Sequence, residues 1–457
     1  MDLPNYFFAD LPPEATLSPA MLEAACDTLK RNREKYLAHR TTEDVVKILC
    51  EVAADWRQPE NQFRKLALEL GPAGTGFSKA ILEKGLDDFF RQFTPENFHA
   101  LLEQDLGGAV AATDTEISAP GAPRQTPHFW RGPDFLVHLV AERPPNPALM
   151  SLTLGLLTRS AQFVQCAGGD AFLPRLFAHA IYQADPKLGA CLEIAAWRGG
   201  NLDLEHTLFA HADCVTATGT DEALENFRVR VPLKTRFLGC RRRVSFGFIA
   251  REVLRDETIA EIVSRAADDV IAWDQNGALS PHVFYVEERG VVESDKFAQL
   301  LAVELAKRET AAPRGKISME AAAAIASRRA IYEAIAAHRA DAKIWTSPDS
   351  TAWTVVFEHD VSFRFSPLNR FIYVKPVPEV AAVLPGVDEI HGNVSTVGLA
   401  APPEKMAQLA RRFARWGATR ICPLGQMQNP PLTWRHDGRP ALGDLITWTD
   451  FEAGDGR

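Results

Sequence analysis

FLVHLVA, residues 135–141, is followed by PALMSLTLGLL, residues 147–157, and then by AQFVQC, residues 161–166. The first and third runs are short, apolar and rich in Val and Phe, which suits buried strands. The middle run is long enough for a helix and lies between them. The same rhythm continues. FLPRLFAHAIYQ (172–183) reads as a helix, ACLEIAAW (190–197) as a strand and DLEHTLFA (203–210) as a short helix. DCVTAT (213–218) is then a strand and EALENFRVR (222–230) a helix, and KTRFLG (234–239) and RVSFGFIA (243–250) close the series. Each crossover between parallel strands needs a covering helix, so this alternation predicts an α/β fold with a doubly wound parallel sheet.

Outward from this core the pattern changes on both sides. Residues 19 to about 105 carry apolar residues at three- and four-residue spacing, as in EDVVKILCEVAADW (43–56), and predict helices. Residues 107–133 are rich in Gly, Pro and Thr and read as a linker. Beyond 250, TIAEIVSRAADDVIAWDQN (258–276) predicts a long helix, HVFYVEE (282–288) a strand and DKFAQLLAVELAKRE (295–309) a helix. SMEAAAAIASRRAIYEAIAAHR (318–339) is a further helix, with WTVVFE (353–358) and RFIYVKPV (370–377) as adjacent strands. NVSTVGLA, PEKMAQLARRFARWG and ATRICPLG (393–425) form a strand–helix–strand unit, with Pro403 near the helix start and Gly417 at its end. The expected division is a helical N-terminal region over 1–110, a doubly wound α/β domain over 111–250, a second α/β domain over 251–430 and a C-terminal extension over 431–457.

Composition narrows the class. The chain has 457 residues, 46% hydrophobic and 24% charged, as in soluble multidomain proteins. A net charge of −9 gives no reason to expect nucleic acid. The longest apolar stretch, ALMSLTLGLL, is about half of the ~20 residues a membrane helix needs, and the N-terminus lacks a signal-peptide pattern. Seven scattered cysteines without a CxxC pair suggest reduced thiols in a cytoplasm.

Few motifs carry chemistry. GPAGTGFSK (71–79) is not a phosphate loop, because Phe77 and Ser78 separate the second glycine from Lys79. There is no GxSxG elbow, and His436-Asp437 in RHDGRP reads as a polar turn without metal-ligand spacing, so no metal is expected. Thr218-Gly219-Thr220, between a strand and a helix start, suits either a phosphate on free backbone N–H groups or a simple helix cap. WDQNGALSPH (273–282) joins helix, tight turn and strand, where a nucleophile is often presented, yet its centre is Ala278.

Taken together, QFVQCA, DCVTATGTDE, KTRFLGCRRRVSFG, WDQNGALSPHVFYVE, HGNVSTVGLA and RICPLGQMQ, in this order, resemble the long-chain acyl-CoA reductases of bacterial bioluminescence, within the aldehyde dehydrogenase superfamily. The resemblance runs from about Asp134 to Glu452. It implies an aldehyde-dehydrogenase-like fold with a cofactor domain, a catalytic domain and an oligomerising extension. It also implies reduction of an acyl thioester, such as acyl-CoA, to an aldehyde with NADPH, through a cysteine that first takes the acyl group.

On that pattern the nucleophile falls at Ala278, which has no sulfur. The strand-end lysine that meets the cofactor ribose falls at Gln165, and the pyrophosphate side at Thr218, Gly219 and Thr220. The Gly-Asn pair whose Asn helps hold the oxyanion falls at Glu142-Arg143. The Gly-rich turn before RVSFG has become Cys240-Arg241-Arg242. Four departures amid clean scaffold strings favour a degenerate homologue with weak NADPH binding, forming an oligomer that could include an active homologous subunit. The alternatives are a reductase whose chemistry has moved to Cys240, its thiolate favoured by adjacent arginines, and a pure acyl-CoA or dinucleotide-binding module. The plain alternative for Cys240 is an ordinary small residue at a strand end.

Overall fold

The structure is a computed structural model and describes residues 3–12, 14–107, 110–111, 128–141, 144–167 and 171–451. The chain divides into two compact units, one of Met1–Ala67, Phe89–Arg241 and Pro431–Arg457, the other of Leu68–Asp88 and Arg242–Pro430. The expected helical region over 1–110 is thus shared between them.

In the first unit, β1 (Val110–Ala111) and β2 (His128–Arg131) lie at the ends of the segment read as a linker. The main sheet is built from β3 (Phe135–Val140), β4 (Ala161–Cys166), β5 (Leu192–Ala196), β6 (Cys214–Gly219) and β7 (Arg236–Arg241). Their order is β5-β4-β3-β6-β7 and every pairing is parallel. Alternation along β3 shows how both faces are covered. Phe135, Val137 and Leu139 pack with Leu22, Cys26 and Leu29 of helix Pro19–Tyr36 and with Leu204 and Leu208 of helix Leu202–His211. His138 faces the other way, among polar partners. Its Nε2 donates to Gln162 Oε1 (3.0 Å) and its Nδ1 accepts from the Thr216 hydroxyl (2.7 Å). Gln162 in turn donates to Leu152 O of helix Asn146–Leu157 (3.0 Å).

The second unit holds β8 (Val244–Ile249), β9 (Pro281–Glu287), β10 (Ala342–Thr346), β11 (Thr354–Glu358), β12 (Phe371–Val377), β13 (Val394–Ala400) and β14 (Arg420–Pro423) in the order β10-β11-β12-β9-β8-β13-β14. All pairings are parallel except β10 with β11. This corrects the reading of RVSFGFIA. It does not close the first series but lies inside the second sheet, between β9 and β13. Local pattern could not decide this, because a fully buried strand looks the same in either sheet. Phe284 and Val286 of β9 face helices Ile259–Ile271 and Ser294–Ala311, while Val283 and Tyr285 face helices Met319–His338 and Pro403–Trp416. Finally β15 (Thr447–Asp450), within the expected C-terminal extension, pairs antiparallel with β2, which pairs parallel with β1. Among the described residues, no helix is long and apolar enough to cross a membrane.

Helix ends follow local chemistry. The Ser18, Thr41 and Thr94 hydroxyls accept from the N–H groups of Met21, Asp44 and Asn97. Gly417 closes helix Pro403–Trp416 at a φ of 112°. The helix expected over 258–276 instead stops at Ile271, because Trp273, Asp274 and Gln275 all turn left-handed.

A buried ion cluster holds that turn. Arg370, 1% exposed, lies 2.6 Å from Asp274 Oδ1 and 2.8 Å from Glu309 Oε2. Arg370→Leu would leave both carboxylates without this cation. Urea unfolding should show a loss of about 3–5 kcal/mol, and a change under 1 kcal/mol would mean that the cluster is not needed.

His138 gives a pH prediction. Burial pushes its imidazole from 6.5 down to about 4. Between those values the unfolded chain takes up a proton that the folded one refuses. The contribution of neutral His138 is therefore complete above pH ~6.5 and lost as pH falls toward ~4, roughly 3 kcal/mol in all. Denaturant melts across that range should show the loss, and His138→Gln should flatten it. An equal slope in the variant would assign the effect to other groups.

Candidate active site

The turn that carries position 278 is overdetermined. Trp273, Asp274 and Gln275 take φ values of 50°, 50° and 63°, a left-handed run that costs roughly 1–2 kcal/mol per non-glycine residue. Each side chain is fixed separately. The Trp273 ring meets Phe77 edge-on at 5.3 Å and covers Gly85, where any β-carbon would overlap the indole. Asp274 binds Arg370 and accepts from Gly315 N–H (3.0 Å). Gln275, fully buried, acts as a piece of backbone. Its Nε2 donates to Pro281 O (2.7 Å) and Phe371 O (2.8 Å), and its Oε1 accepts from Phe371 N–H (2.8 Å), which ties the starts of β9 and β12 together.

Past the left-handed run, the loop is pinned from both sides. Ser245 Oγ, at the start of β8, donates to Ala278 O (2.9 Å) and accepts from Thr396 N–H (3.1 Å). A β-carbon at Gly277 would overlap the Gln428 amide, which itself hydrogen-bonds Ser280 Oγ. Asp269 accepts from Gly425 N–H (2.6 Å) and Met427 N–H (2.8 Å), holding the segment that carries Gln428. Ala278 is half-buried and brings only a methyl group. His282 is no ready base. Burial and the charge of Arg242 push it down to about 4, and its Nδ1 already accepts from Ser366 N–H (3.0 Å). The local sequence gave no sign of Ser245 or Gln428, because both act from distant segments. Arg143, the expected oxyanion-side residue, lies with Glu142 outside the described residues.

The expected dinucleotide positions sit at the carboxyl ends of the first sheet. Gln165, 6% exposed, donates its Nε2 to Cys166 O (3.1 Å) and Trp197 O (2.9 Å), tying the ends of β4 and β5. Thr220 caps helix Asp221–Arg230 through its hydroxyl, which accepts from Ala223 N–H (3.3 Å). That first turn also carries Asp221 and Glu222, whose charges oppose a phosphate. In favour of a ligand, Thr218 Oγ1 is buried without a hydrogen-bond partner, and a β-carbon at Gly219 would meet nothing closer than Ala223 at 3.4 Å.

Cys240, on β7, is half-buried. The cation that donates to its Sγ is Arg439 (Nη2, 3.3 Å), about 200 residues further along, whereas the adjacent Arg241 pairs with Asp221 (3.0 Å). None of the seven cysteines is in a disulfide, and burial pushes Cys26, Cys191, Cys214 and Cys422 up to about 12.

Comparison with known proteins places this architecture. Solved structures share the fold. A NAD-dependent benzaldehyde dehydrogenase from Corynebacterium glutamicum superposes with a TM-score of 0.68 at 13% identity, covering 96% of this chain and 91% of that one. A putative aldehyde dehydrogenase PutA from Anabaena variabilis gives 0.69 at 14% identity, covering 96% and 93%. The fold is therefore aldehyde-dehydrogenase-like. Among curated sequences, the long-chain acyl-protein thioester reductase 2 of Photobacterium leiognathi is 22% identical over 322 residues, and the long-chain acyl-protein thioester reductase of Aliivibrio fischeri 23%. Each match covers 69% of this chain but 63% of the relative's length, just under two thirds. The model of the acyl-CoA reductase (LuxC) family matches residues 37–448, and the chain belongs to that family.

Proposed function

We propose that this chain binds an acyl thioester, such as acyl-CoA, but does not pass the acyl group through position 278, and that it works beside a catalytically competent homologous subunit. The observation that carries this is the turn at 273–280, fixed by Trp273, Asp274, Gln275, Ser245 and Gln428, around a residue without a nucleophile. Thioester exchange requires a thiolate, and Ala278 has none. Curated relatives are named for acyl-protein thioesters, which supports an acyl thioester as the substrate class. Seven cysteines with no disulfide among them are consistent with a reducing cytoplasm. Association is supported by β15, an edge strand whose residues are all exposed, Trp448 among them at 43%.

The family's nicotinamide chemistry would be supplied by NADPH at the carboxyl ends of β4 and β6. The residues there fit it only in part. Thr218 and Gly219 leave a donor and room, but Gln165 replaces a cation and Asp221 and Glu222 add negative charge. A competing account moves the nucleophile to Cys240, whose Sγ has a cation in contact.

Two measurements test these proposals. With NADPH and a long-chain acyl-CoA, the purified chain should yield no aldehyde and no acyl adduct by intact mass, whereas Ala278→Cys should gain one acyl mass. Robust acylation of the unaltered chain that disappears in Cys240→Ala would establish the competing account. NADPH titration should give weak binding, and Gln165→Lys should tighten it about tenfold or more, since charged hydrogen bonds contribute roughly 1.5–3 kcal/mol. Sub-micromolar affinity in the unaltered chain would contradict a degenerate cofactor site.

A further inference from the structure

His436 and Asp437, a polar turn by sequence, fold back onto Cys240. A ring nitrogen of His436, a carboxylate oxygen of Asp437 and Cys240 Sγ all lie within 4.8 Å of one another, and all three residues are half-buried. We propose that Cys240, His436 and Asp437 form a binding site for one divalent transition-metal cation of the zinc type, a ligand the family's acyl chemistry does not call for.

The donor set fits that chemistry. Thiolate, imidazole and carboxylate are the ligands zinc takes, and three protein ligands leave a fourth position for water. Around a tetrahedral ion with bonds of about 2.0–2.3 Å, ligand atoms stand roughly 3.4–3.7 Å apart, so closing this cluster needs shifts of about 1 Å. One thiolate and one carboxylate also neutralise a divalent charge.

The surroundings are those of a supported site. Arg439 Nη2 donates to Sγ (3.3 Å), as N–H groups around metal-bound thiolates do, and its own charge is offset by Asp444 (3.4 Å). The Trp434 ring lies 4.8 Å from the His436 ring and limits its rotation. The loop is held to the helix Pro95–Leu106 by Gln104 Nε2, which donates to Thr433 O (2.9 Å), and by Leu442 N–H, which donates to Asp105 Oδ2 (2.8 Å). Asp437 and Gly438 take φ values of 56° and 78°, and a non-glycine residue held left-handed costs energy that a plain surface turn can avoid.

A Cys–His–Asp proton relay fits the cluster less well. A relay needs the carboxylate hydrogen-bonded to the imidazole, yet Asp437 Oδ1 stands 3.9 Å from His436 Nε2. Three donors converging on one point suit a shared cation better than a chain of hand-offs. Binding replaces the thiol proton with a metal–sulfur bond and releases that proton to solvent, with no change of oxidation state.

The test is a Co²⁺ titration of the chelator-treated full chain, followed by absorbance. One equivalent should bind with a near-ultraviolet thiolate-to-cobalt charge-transfer band and release of a proton near neutral pH. Cys240→Ser should abolish the band, while His436→Ala and Asp437→Asn should each weaken affinity at least tenfold. Cys50→Ser, at the other half-buried thiol, should change nothing. Circular dichroism of each variant separates loss of a ligand from loss of fold, and the Asp437→Asn affinity decides if Cys240→Ser fails to fold. The absence of a band in the unaltered chain, or a band that survives Cys240→Ser, overturns the site. So does acylation of Cys240 by a long-chain acyl-CoA in a chain that binds no Co²⁺. None of these outcomes depends on whether position 278 is silent.

Discussion

The ion pair between Asp274 and Arg370 is the constraint on which the second unit's turn depends. Both partners are almost wholly buried, and both sit in left-handed backbone. Arg370 closes a second run, with Leu368 at 60°, Asn369 at 55° and itself at 65°. Two strained segments are thus clamped by one electrostatic contact, and Gln275 stitches each to the strand that follows. Strain of this kind persists only where the surroundings leave no alternative. Here it delivers residues 277–280 to a fixed place between β8, β9 and the segment around Gln428.

That rigidity bears on what the alanine means. Pre-organisation benefits a reaction only if a reacting atom sits in the organised place. The turn here is organised at a cost, and the side chain it presents at 278 is one methyl group. The same residues also hold β8, β9 and β12 in register, so they are useful without any chemistry. An alanine at 278 therefore costs the fold nothing, whereas removing Gln275 or Asp274 would take away bonds that hold these strands.

Legibility in the sequence followed the range of the interactions. The β–α series from β3 to β7 was readable because burial on both faces of a parallel sheet writes continuous apolar runs. β8 was seen as a strand but assigned to the neighbouring sheet, since pairing depends on partners more than 30 residues away. β10 went unread because AKIWT mixes charge with apolar residues and lies at an edge. β1 and β2 were hidden in a stretch whose Gly and Pro content spoke for a linker. At the site, the cap by Thr220 was one of two open readings, and its hydroxyl does accept from Ala223 N–H. Arg241 proved to be committed to Asp221, and the cation at Cys240 came from Arg439, which no local spacing announces. The approach of His436 and Asp437 to Cys240 was invisible for the same reason.

The interleaving of the chain has a consequence for how it is made. Residues 68–88 leave the first unit to lie beneath Trp273 and beside Gly315, which are synthesised some two hundred residues later. The first unit in turn waits for its last strand and for Arg439. A nascent chain emerging in order therefore completes neither core before residue 430 has been made. The side chains of Phe77, Ile81 and Leu82, buried in the folded second unit, must then be shielded for most of that time. Separating the units by cutting at a single point is ruled out on the same ground, because every cut leaves one of them without a piece of its own interior.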